Sequence, residues 1–204
     1  MSKILIVTPK FPWPMTGACE ADRAEGIKQL IRLGFEVKMI VKANDNQLGA
    51  IKEMRDLLSI DIFPVSYKYH QKNIILKYIK ILLTRPNLID GAAYEYTDPE
   101  LKKIFERQLS DWRPDYLWLD YTFMWPLAKI ARQYGIKVIT RSINYEPEHF
   151  IQEEGRSVSN WLMYKAKIFT ESQTIKYSDL IFAITPHDKK IYDSLGAKNV
   201  KVLP

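Results

Sequence analysis

The chain has 204 residues and a formal net charge of +6. That length is enough for one well-buried α/β domain. The modest positive charge suits phosphorylated substrates, anionic lipid surfaces or nucleic acid, and it selects none of them. The single cysteine, Cys19, excludes an internal disulfide framework and provides no cluster of metal ligands. Because the N-terminus leads directly into an apolar run, we expect no signal peptide. No run reaches the length of a transmembrane helix, so the cytoplasm is the expected compartment.

The first 42 residues predict a β–loop–α–β unit. Lys3–Thr8 contains a β-branched apolar run without alternation, which is typical of a strand buried on both faces. The loop of residues 9–17 contains three prolines, which keep its backbone extended. Apolar residues then recur at helical spacing over residues 21–31, and Gly34 is placed to end that helix. A second strand, Glu36–Lys42, follows at once.

Gly17 lies where this loop meets the N-terminus of the predicted helix. A helix N-terminus presents unpaired backbone N–H groups and the positive end of the dipole, which makes it a natural anion site. The loop is neither a Gly-x-Gly-x-x-Gly loop nor a Walker loop, so neither NAD nor ATP is indicated. The alternative is a plain α/β turn that binds no ligand.

Helices and strands alternate along the rest of the chain. We predict helices at residues 50–58, 99–112, 123–134, 148–177 (interrupted near Gly155) and 186–195, and strands at residues 60–65, 115–121, 136–140, 180–185 and 200–203. This order predicts a three-layer α/β/α, Rossmann-like, doubly wound and mostly parallel sheet. Ligands bind such sheets beyond the carboxyl ends of the strands. The loop at 9–17, the segment after Thr140 and the turn at Thr185 should therefore share one edge.

Residues 67–85 have the most uneven distribution of polar and apolar residues in the chain. On a helix, the four polar residues Asn73, Lys77, Lys80 and Thr84 share a narrow stripe, and almost everything else is apolar. An apolar helix face this wide usually indicates burial between other elements. The alternative is a basic amphipathic surface that meets the headgroups of an anionic membrane. The sequence does not decide between the two.

Four sets of segments, in this order, resemble the N-terminal domain of a GT-B fold retaining glycosyltransferase of family 4 (group 1). The first set is the strand, the proline-rich loop and Gly17-Ala-Cys-Glu20…Arg23, with Leu-Gly-Phe-Glu-Val at 33–37. The second is Leu-Thr-Arg-Pro at 83–86 with Asp-Tyr-Leu-Trp-Leu-Asp at 115–120. The third is Val-Ile-Thr-Arg-Ser-Ile-Asn-Tyr-Glu at 138–146, and the fourth is residues 178–204. The family carries a Gly-Gly pair in the first and Arg-Ser-His-Asn-x-Glu in the third. Each motif alone is weak, and their correct order makes the resemblance fairly specific.

The resemblance implies a set of site residues. Gly17 and Ala18 stand where backbone N–H groups of the family approach the diphosphate of the donor. A positive φ at this pair would suit Gly17 and would cost an alanine about 1 kcal/mol or more, which places the contact at Ala18 in doubt. The substrate- or acceptor-binding residues implied are Glu20, Arg23, Arg141, Asn144, Glu146 and Thr185. For Glu20 and Arg23, solvent-facing helix charges are an equal alternative.

Ile143 stands where the family has a histidine that donates a hydrogen bond to the donor sugar. Isoleucine neither donates a hydrogen bond nor titrates, so the catalytic residue is unassigned. For the three histidines, His70, His149 and His187, a surface or cap-adjacent position is the favoured interpretation. The family implies retention of configuration without a metal or cofactor, with the leaving diphosphate stabilised by preorganised donors.

The resemblance covers essentially the whole of residues 1–204 as one acceptor-side domain. In the family, a second Rossmann-like domain binds the nucleotide-diphosphate sugar and carries a pair of glutamates. We therefore expect this chain to be half of an enzyme and inactive alone. Its implied partners are a nucleotide sugar, a saccharide or lipid-linked acceptor, its own C-terminal domain and an anionic membrane surface; nucleic acid is not expected. The alternatives are a non-catalytic sugar- or partner-binding member of the same fold and, disfavoured by the first loop, an epimerase of nucleotide sugars.

Overall fold

The computed structural model describes residues 1–67, 73–84 and 90–203. Within these ranges the chain forms seven strands: β1 (Lys3–Thr8), β2 (Glu36–Lys42), β3 (Asp61–Val65), β4 (Tyr116–Asp120), β5 (Lys137–Ser142), β6 (Leu180–Ala183) and β7 (Val200–Val202). The α-helices in the same ranges are α1 (Ala18–Arg32), α2 (Leu48–Leu58), α3 (Ile74–Thr84), α4 (Gly91–Tyr96), α5 (Pro99–Asp111), α6 (Trp125–Gln133), α7 (Glu146–Glu154), α8 (Val158–Tyr177) and α9 (Pro186–Ser194). Two short 3₁₀ helices lie at Asp45–Gln47 and Thr122–Met124.

The strands form one sheet in the order β3-β2-β1-β4-β5-β6-β7, and every neighbouring pair within it is parallel. The predicted α/β, doubly wound architecture is confirmed. The chain moves outward from β1 through β2 to β3, then returns to place β4 on the other side of β1. The strand order therefore reverses between β1 and β4, which is the point where ligands bind in sheets of this kind.

The central strand β1 is buried on both faces, as its unbroken apolar run predicted. Leu5 and Val7 pack in the core that α5 and α6 share with the sheet. Ile4 and Ile6 pack on the opposite face, in the core that contains residues of α1 and α2. The two apolar cores fix the position of the carboxyl end of β1, and with it the loop that leads to α1.

Local chemistry sets the ends of several helices. The carboxylate of Asp98 accepts hydrogen bonds from the backbone N–H groups of Glu100 and Leu101 at 2.9 and 3.1 Å, so it caps α5 as predicted. Thr185 caps α9 in the same manner, because its Oγ1 accepts from the N–H of Asp188 at 3.0 Å. Strand β6 consequently ends at Ala183, before the predicted position. Helix α4 was not predicted.

The apolar side of α3 points outward. Ile75 is 68% exposed, Leu82 63% and Leu83 80%, whereas Ile81 is fully buried. The interpretation of this wide face as buried between other elements is therefore wrong for the exposed residues Ile75, Leu76, Ile79, Leu82 and Leu83. Within the predicted polar stripe, Asn73 and Lys80 are exposed, whereas Lys77 Nζ lies 3.0 Å from Glu95 Oε2. His70 and residues 85–86 of the second family-like motif lie outside the described residues.

Candidate functional site

The predicted site segments share the edge of the sheet formed by the carboxyl ends of β1, β4, β5 and β6. These four strands are neighbours in the sheet. Gly17 begins α1 after β1, Arg141 lies at the end of β5 with Asn144 just beyond it, and Thr185 follows β6. Parallel strands deliver their following loops to one edge, which is why residues so distant in sequence come together here.

The N-terminus of α1 is built differently from the expectation. Gly17 has φ −140° and ψ 166°, an extended conformation that any residue adopts, and Ala18 is already helical. The idea that a positive φ is needed at this pair is therefore wrong, and Ala18 meets no backbone penalty. A glycine is favoured for a different reason: a Cβ at position 17 would lie 2.6 Å from Glu20 Oε2. Glu20 Oε1 in turn lies 2.5 Å from Lys10 Nζ, and that hydrogen bond lowers the pKa of Glu20.

Arg23 is buried, with 3% of its side chain exposed. Its Nη2 donates to the hydroxyl of Tyr121 at 2.8 Å, and its Nε lies 3.3 Å from Asp120 Oδ2. Its Nη1 is buried without a hydrogen-bond partner among the described residues. The alternative of a solvent-facing charge is therefore wrong for Arg23, and one guanidinium N–H group has no acceptor among the described residues.

Arg141 lines the same cavity as Arg23 and is likewise buried. One of its terminal nitrogens pairs with the carboxylate of Asp22, and its Nε is buried without a hydrogen-bond partner in the described part of the chain. The two arginines line one cavity of about 440 Å³ between α1 and strands β4 and β6. Its wall includes Trp118, which stacks on Phe182 with ring centroids 5.5 Å apart. Guanidinium donors, carboxylate acceptors and an aromatic face suit a polyhydroxylated ligand.

The remaining predicted residues form a second group beyond β5 and β6. The carbonyl of Asn144 accepts a hydrogen bond from Ser142 Oγ at 2.8 Å. Glu146 Oε2 lies 3.1 Å from Lys167 Nζ. Thr185 is engaged as the cap of α9 and also donates to Asp188 Oδ2 at 2.7 Å. Ile143 is only partly buried at the start of this loop.

The two described histidines lie at the surface and pair locally. His149 Nε2 lies 3.3 Å from Glu153 Oε1, one turn further along α7. His187 Nε2 lies 3.2 Å from Glu148 Oε2, and 72% of its side chain is exposed. Both positions agree with the surface interpretation. Among the described residues, no group of three or more His, Cys, Asp or Glu side chains is placed to hold a metal ion.

An aromatic cavity of about 470 Å³ at the same edge was missed from the sequence. Its walls are formed by Pro9, Lys10, Tyr67, Tyr96, Tyr121 and Phe123. The Tyr67 hydroxyl donates to the carbonyl of Pro9 at 2.9 Å, and burial raises the pKa of Tyr67 to about 12. Tyr121 separates this cavity from Arg23, so the two cavities adjoin.

Sequence reasoning also missed the acidic partners of the arginines, Asp22 and Asp120. Asp120 carried a usable signal, since it is a carboxylate that ends the apolar strand Tyr-Leu-Trp-Leu-Asp, where a parallel sheet places its ligand-binding groups. Asp22 carried none, because a charge on the exposed side of a helix is commonplace.

No family model matches the sequence. No curated protein matches it either. Solved structures do. UGT89C1 of Arabidopsis thaliana, complexed with UDP-L-rhamnose, is similar at a TM-score of 0.58 and 14% identity, covering 100% of this chain and 52% of that one. The sucrose-phosphate synthase of Thermosynechococcus elongatus is similar at a TM-score of 0.61 and 8% identity, covering 100% of this chain and 48% of that one. A putative UDP-N-acetylglucosamine 2-epimerase of Listeria monocytogenes is similar at a TM-score of 0.55 and 12% identity, covering 95% of this chain and 42% of that one.

These likenesses establish the fold. The chain has a Rossmann-like α/β fold of the kind found in one domain of these GT-B structures. It spans about half the length of the solved structures it matches. None of the helices in the described ranges combines the length and apolarity needed to cross a membrane.

Proposed function

We propose that this chain is the N-terminal, acceptor-side domain of a retaining GT-B glycosyltransferase of the family 4 type. The complete enzyme transfers a hexose from a nucleotide-diphosphate sugar to a saccharide or lipid-linked acceptor. The observation that carries the proposal is the edge at which α1 begins and the buried, incompletely paired Arg23 and Arg141 line one cavity. The GT-B fold and the ordered motifs support the same assignment.

On the donor side, the N-terminus of α1 would approach the diphosphate across the cleft. Gly17 provides no capping side chain, and the Glu20 carboxylate bonds to the backbone N–H of its own residue, which leaves the other N–H groups of the first turn to anionic oxygens. Lys10 adds a positive charge beside Glu20. The chemistry required of these groups is stabilisation of the leaving diphosphate by preorganised donors, which needs no metal or cofactor.

On the acceptor side, the two adjoining cavities offer complementary chemistry. The aromatic cavity at Tyr67, Tyr96 and Tyr121 presents ring faces and hydroxyl groups, which suit a sugar ring. Arg23 and Arg141 add guanidinium groups to the wall of the other cavity, where they would donate to acceptor hydroxyls. Catalysis itself is assigned to the completed cleft, since Ile143 supplies no titratable group. Without a donor-binding partner domain, this domain is expected to be inactive.

A variant at Gly17 tests the donor contact. In the enzyme that joins this domain to its donor-binding domain, Gly17→Val should lower kcat/KM for the nucleotide sugar by about 10-fold to 100-fold, the range for losing hydrogen bonds to a charged group. The reason is that its side chain displaces the Glu20 carboxylate and covers the end of α1. Gly49→Val is the matched control, because a Cβ at that position meets nothing within 4 Å. Equal activity of both folded variants would refute the donor assignment. Unchanged activity of Asn144→Ala would show that the loop after β5 is not part of the site.

Helix α3 supports a second part of the proposal, contact with an anionic membrane surface. Five large apolar side chains of this helix are exposed together: Ile75, Leu76, Ile79, Leu82 and Leu83. Exposed Lys80 and the net charge of +6 favour an anionic surface. Since Lys77 is paired with Glu95, apolar insertion contributes more to binding than the sequence suggested. A lipid-linked acceptor would be reached at such a surface.

Sedimentation with phosphatidylcholine vesicles, with and without phosphatidylglycerol, tests this contact. We expect binding to the anionic vesicles that weakens at high salt, and a decrease of about tenfold or more when Leu82 and Leu83 are both changed to aspartate. The control is Leu57→Asp, at a leucine of α2 that is 60% exposed. Absence of binding at low ionic strength, or equal binding of the α3 variant and the control, would contradict membrane contact.

A further inference from the structure

A glutamate is buried beneath the loop that follows β5. Glu171 lies in the middle of α8, is 1% exposed and has hydrogen-bonding neighbours from three other elements. Its Oε1 accepts from Thr122 Oγ1 at 3.0 Å, and its Oε2 lies 2.7 Å from the hydroxyl oxygen of Tyr192 in α9. The backbone N–H of Glu146, at the start of α7, also bonds to this carboxyl group.

From Tyr192 the contacts continue into the loop. The Tyr192 hydroxyl oxygen lies 2.8 Å from Ser142 Oγ, and Ser142 Oγ lies 2.8 Å from the carbonyl oxygen of Asn144. Tyr192 and Ser142 are 0% and 1% exposed, so both partners are shielded from bulk solvent. A continuous series of hydrogen-bond contacts thus runs from Glu171 to the backbone of Asn144.

The number of available hydrogens determines which protonation state of Glu171 satisfies all of these contacts. The four oxygen–oxygen contacts are Thr122–Glu171, Glu171–Tyr192, Tyr192–Ser142 and Ser142–Asn144. The three hydroxyl groups supply only three hydrogens, one each. The carboxylic acid proton of Glu171 supplies the fourth: it bonds to Tyr192, Tyr192 donates to Ser142, and Ser142 donates to Asn144. With an ionised Glu171, one of the four contacts has no hydrogen.

We propose that Glu171 is a positioning residue that, in its protonated form, holds the loop of residues 142–146 in the observed conformation. The surroundings favour that form. Burial raises the pKa of Glu171 to about 8, although hydrogen bonding of the ionised form to Tyr192 and Thr122 acts in the opposite direction. The use of this loop in sugar transfer rests on the proposed function, whereas the positioning itself does not.

The charged and titratable groups around Glu171 offer it no cation. On α9 these are Tyr192 and Asp188, whose Oδ1 accepts from the Tyr145 backbone N–H at 3.2 Å. At the start of α7 lies Glu146, which raises the pKa of Glu171 further. The nearest lysine on its own helix, Lys167, pairs with that Glu146, and Arg132 of α6 pairs with Asp179 beyond the end of α8.

Nuclear magnetic resonance titration of the chain tests the proposal directly. In the wild type we expect the Glu171 carboxyl carbon and the backbone amides of residues 142–146 to titrate together, with one midpoint near pH 8. In Glu171→Gln, whose amide donates to Tyr192 at every pH, the loop amides should keep the low-pH shifts throughout. In Tyr192→Phe the carboxyl group should still titrate above its ordinary range, but the Ser142 and Asn144 amides should no longer follow it.

Glu154→Gln, at an exposed carboxylate of α7, is the control and should leave the titration unchanged. A Glu171 midpoint near the ordinary value, or loop amides that do not shift through that midpoint, would overturn the proposal. The wild-type titration decides the matter even if a variant does not fold. Because no transfer activity is measured, the result is independent of whether the glycosyltransferase assignment holds.

Discussion

Replacement of Lys42 by methionine is expected to destabilise the domain by roughly 3–5 kcal/mol, the usual effect of breaking a buried ion pair from one side. Lys42 ends β2, and its side chain is 0% exposed. Its ammonium group pairs with the carboxylate of Asp98, which is 2% exposed, and donates to the carbonyl of Ser66 at 2.8 Å. Methionine fills a similar volume but leaves the Asp98 carboxylate buried without its cation. Urea unfolding followed by circular dichroism measures the loss.

Two further variants separate charge from packing in that experiment. Asp98→Asn in the Lys42→Met background removes the stranded charge while its side-chain oxygen still caps α5, so most of the lost stability should return. Lys189→Met breaks an exposed pair with Asp193 and should cost at most about 0.5 kcal/mol. If Lys42→Met costs no more than Lys189→Met, the buried pair does not have the assigned role.

The parts of the fold that were predictable are those decided by local chemistry. The apolar run at the start of the chain identified β1, because only a central strand of a parallel sheet is apolar on both sides. The residue types at Asp98 and Thr185 identified two helix starts, since their side chains bond to backbone groups two or three residues away. Gly155, with φ 72°, separated α7 from α8 for the same kind of local reason.

The orientation of α3 illustrates what periodicity leaves undetermined. The pattern in residues 74–84 defined an apolar face and a polar stripe, but the direction that each faces depends on neighbouring elements. Lys77 turns toward the protein because Glu95 of α4 provides its partner there, and α4 itself was not predicted. The apolar face is consequently left outside.

The candidate site was predictable in position but not in its internal pairing. The order of strands and helices places the loops after β1, β5 and β6 on one edge, and the motif resemblance selected Arg23 and Arg141 there. The acids that pair with them lie 97 and 119 residues away along the chain, so no local pattern connects them. Glu171 is a still harder case, because a glutamate in mid-helix ordinarily faces solvent. Its burial follows from the packing of α8 against α6, α7 and the 3₁₀ helix at Thr122–Met124.

That burial gives the last prediction, a stability that depends on pH through one residue. The pKa of Glu171 is raised by burial from an ordinary value of 4.5 to about 8 in the folded chain. The folded state therefore holds this proton more tightly than the unfolded state does. The contribution of Glu171 to stability is fully present below about pH 4.5, decreases as the pH rises, and levels off above about pH 8. Between these limits the decrease is on the order of 1 kcal/mol for each pH unit.

Glu171→Gln retains the hydrogen bonds of the protonated acid and has no proton to lose. Near pH 8 we expect it to be more stable than the wild type by on the order of 3 kcal/mol, with the difference vanishing toward pH 5. Urea unfolding of both proteins at intervals from pH 5 to pH 9 measures this. Glu154→Gln should follow the wild-type curve, since that carboxylate is exposed. Parallel curves for Glu171→Gln and the wild type across this range would show that Glu171 is ionised in the folded chain at neutral pH, and that a proton at this site does not hold the loop after β5.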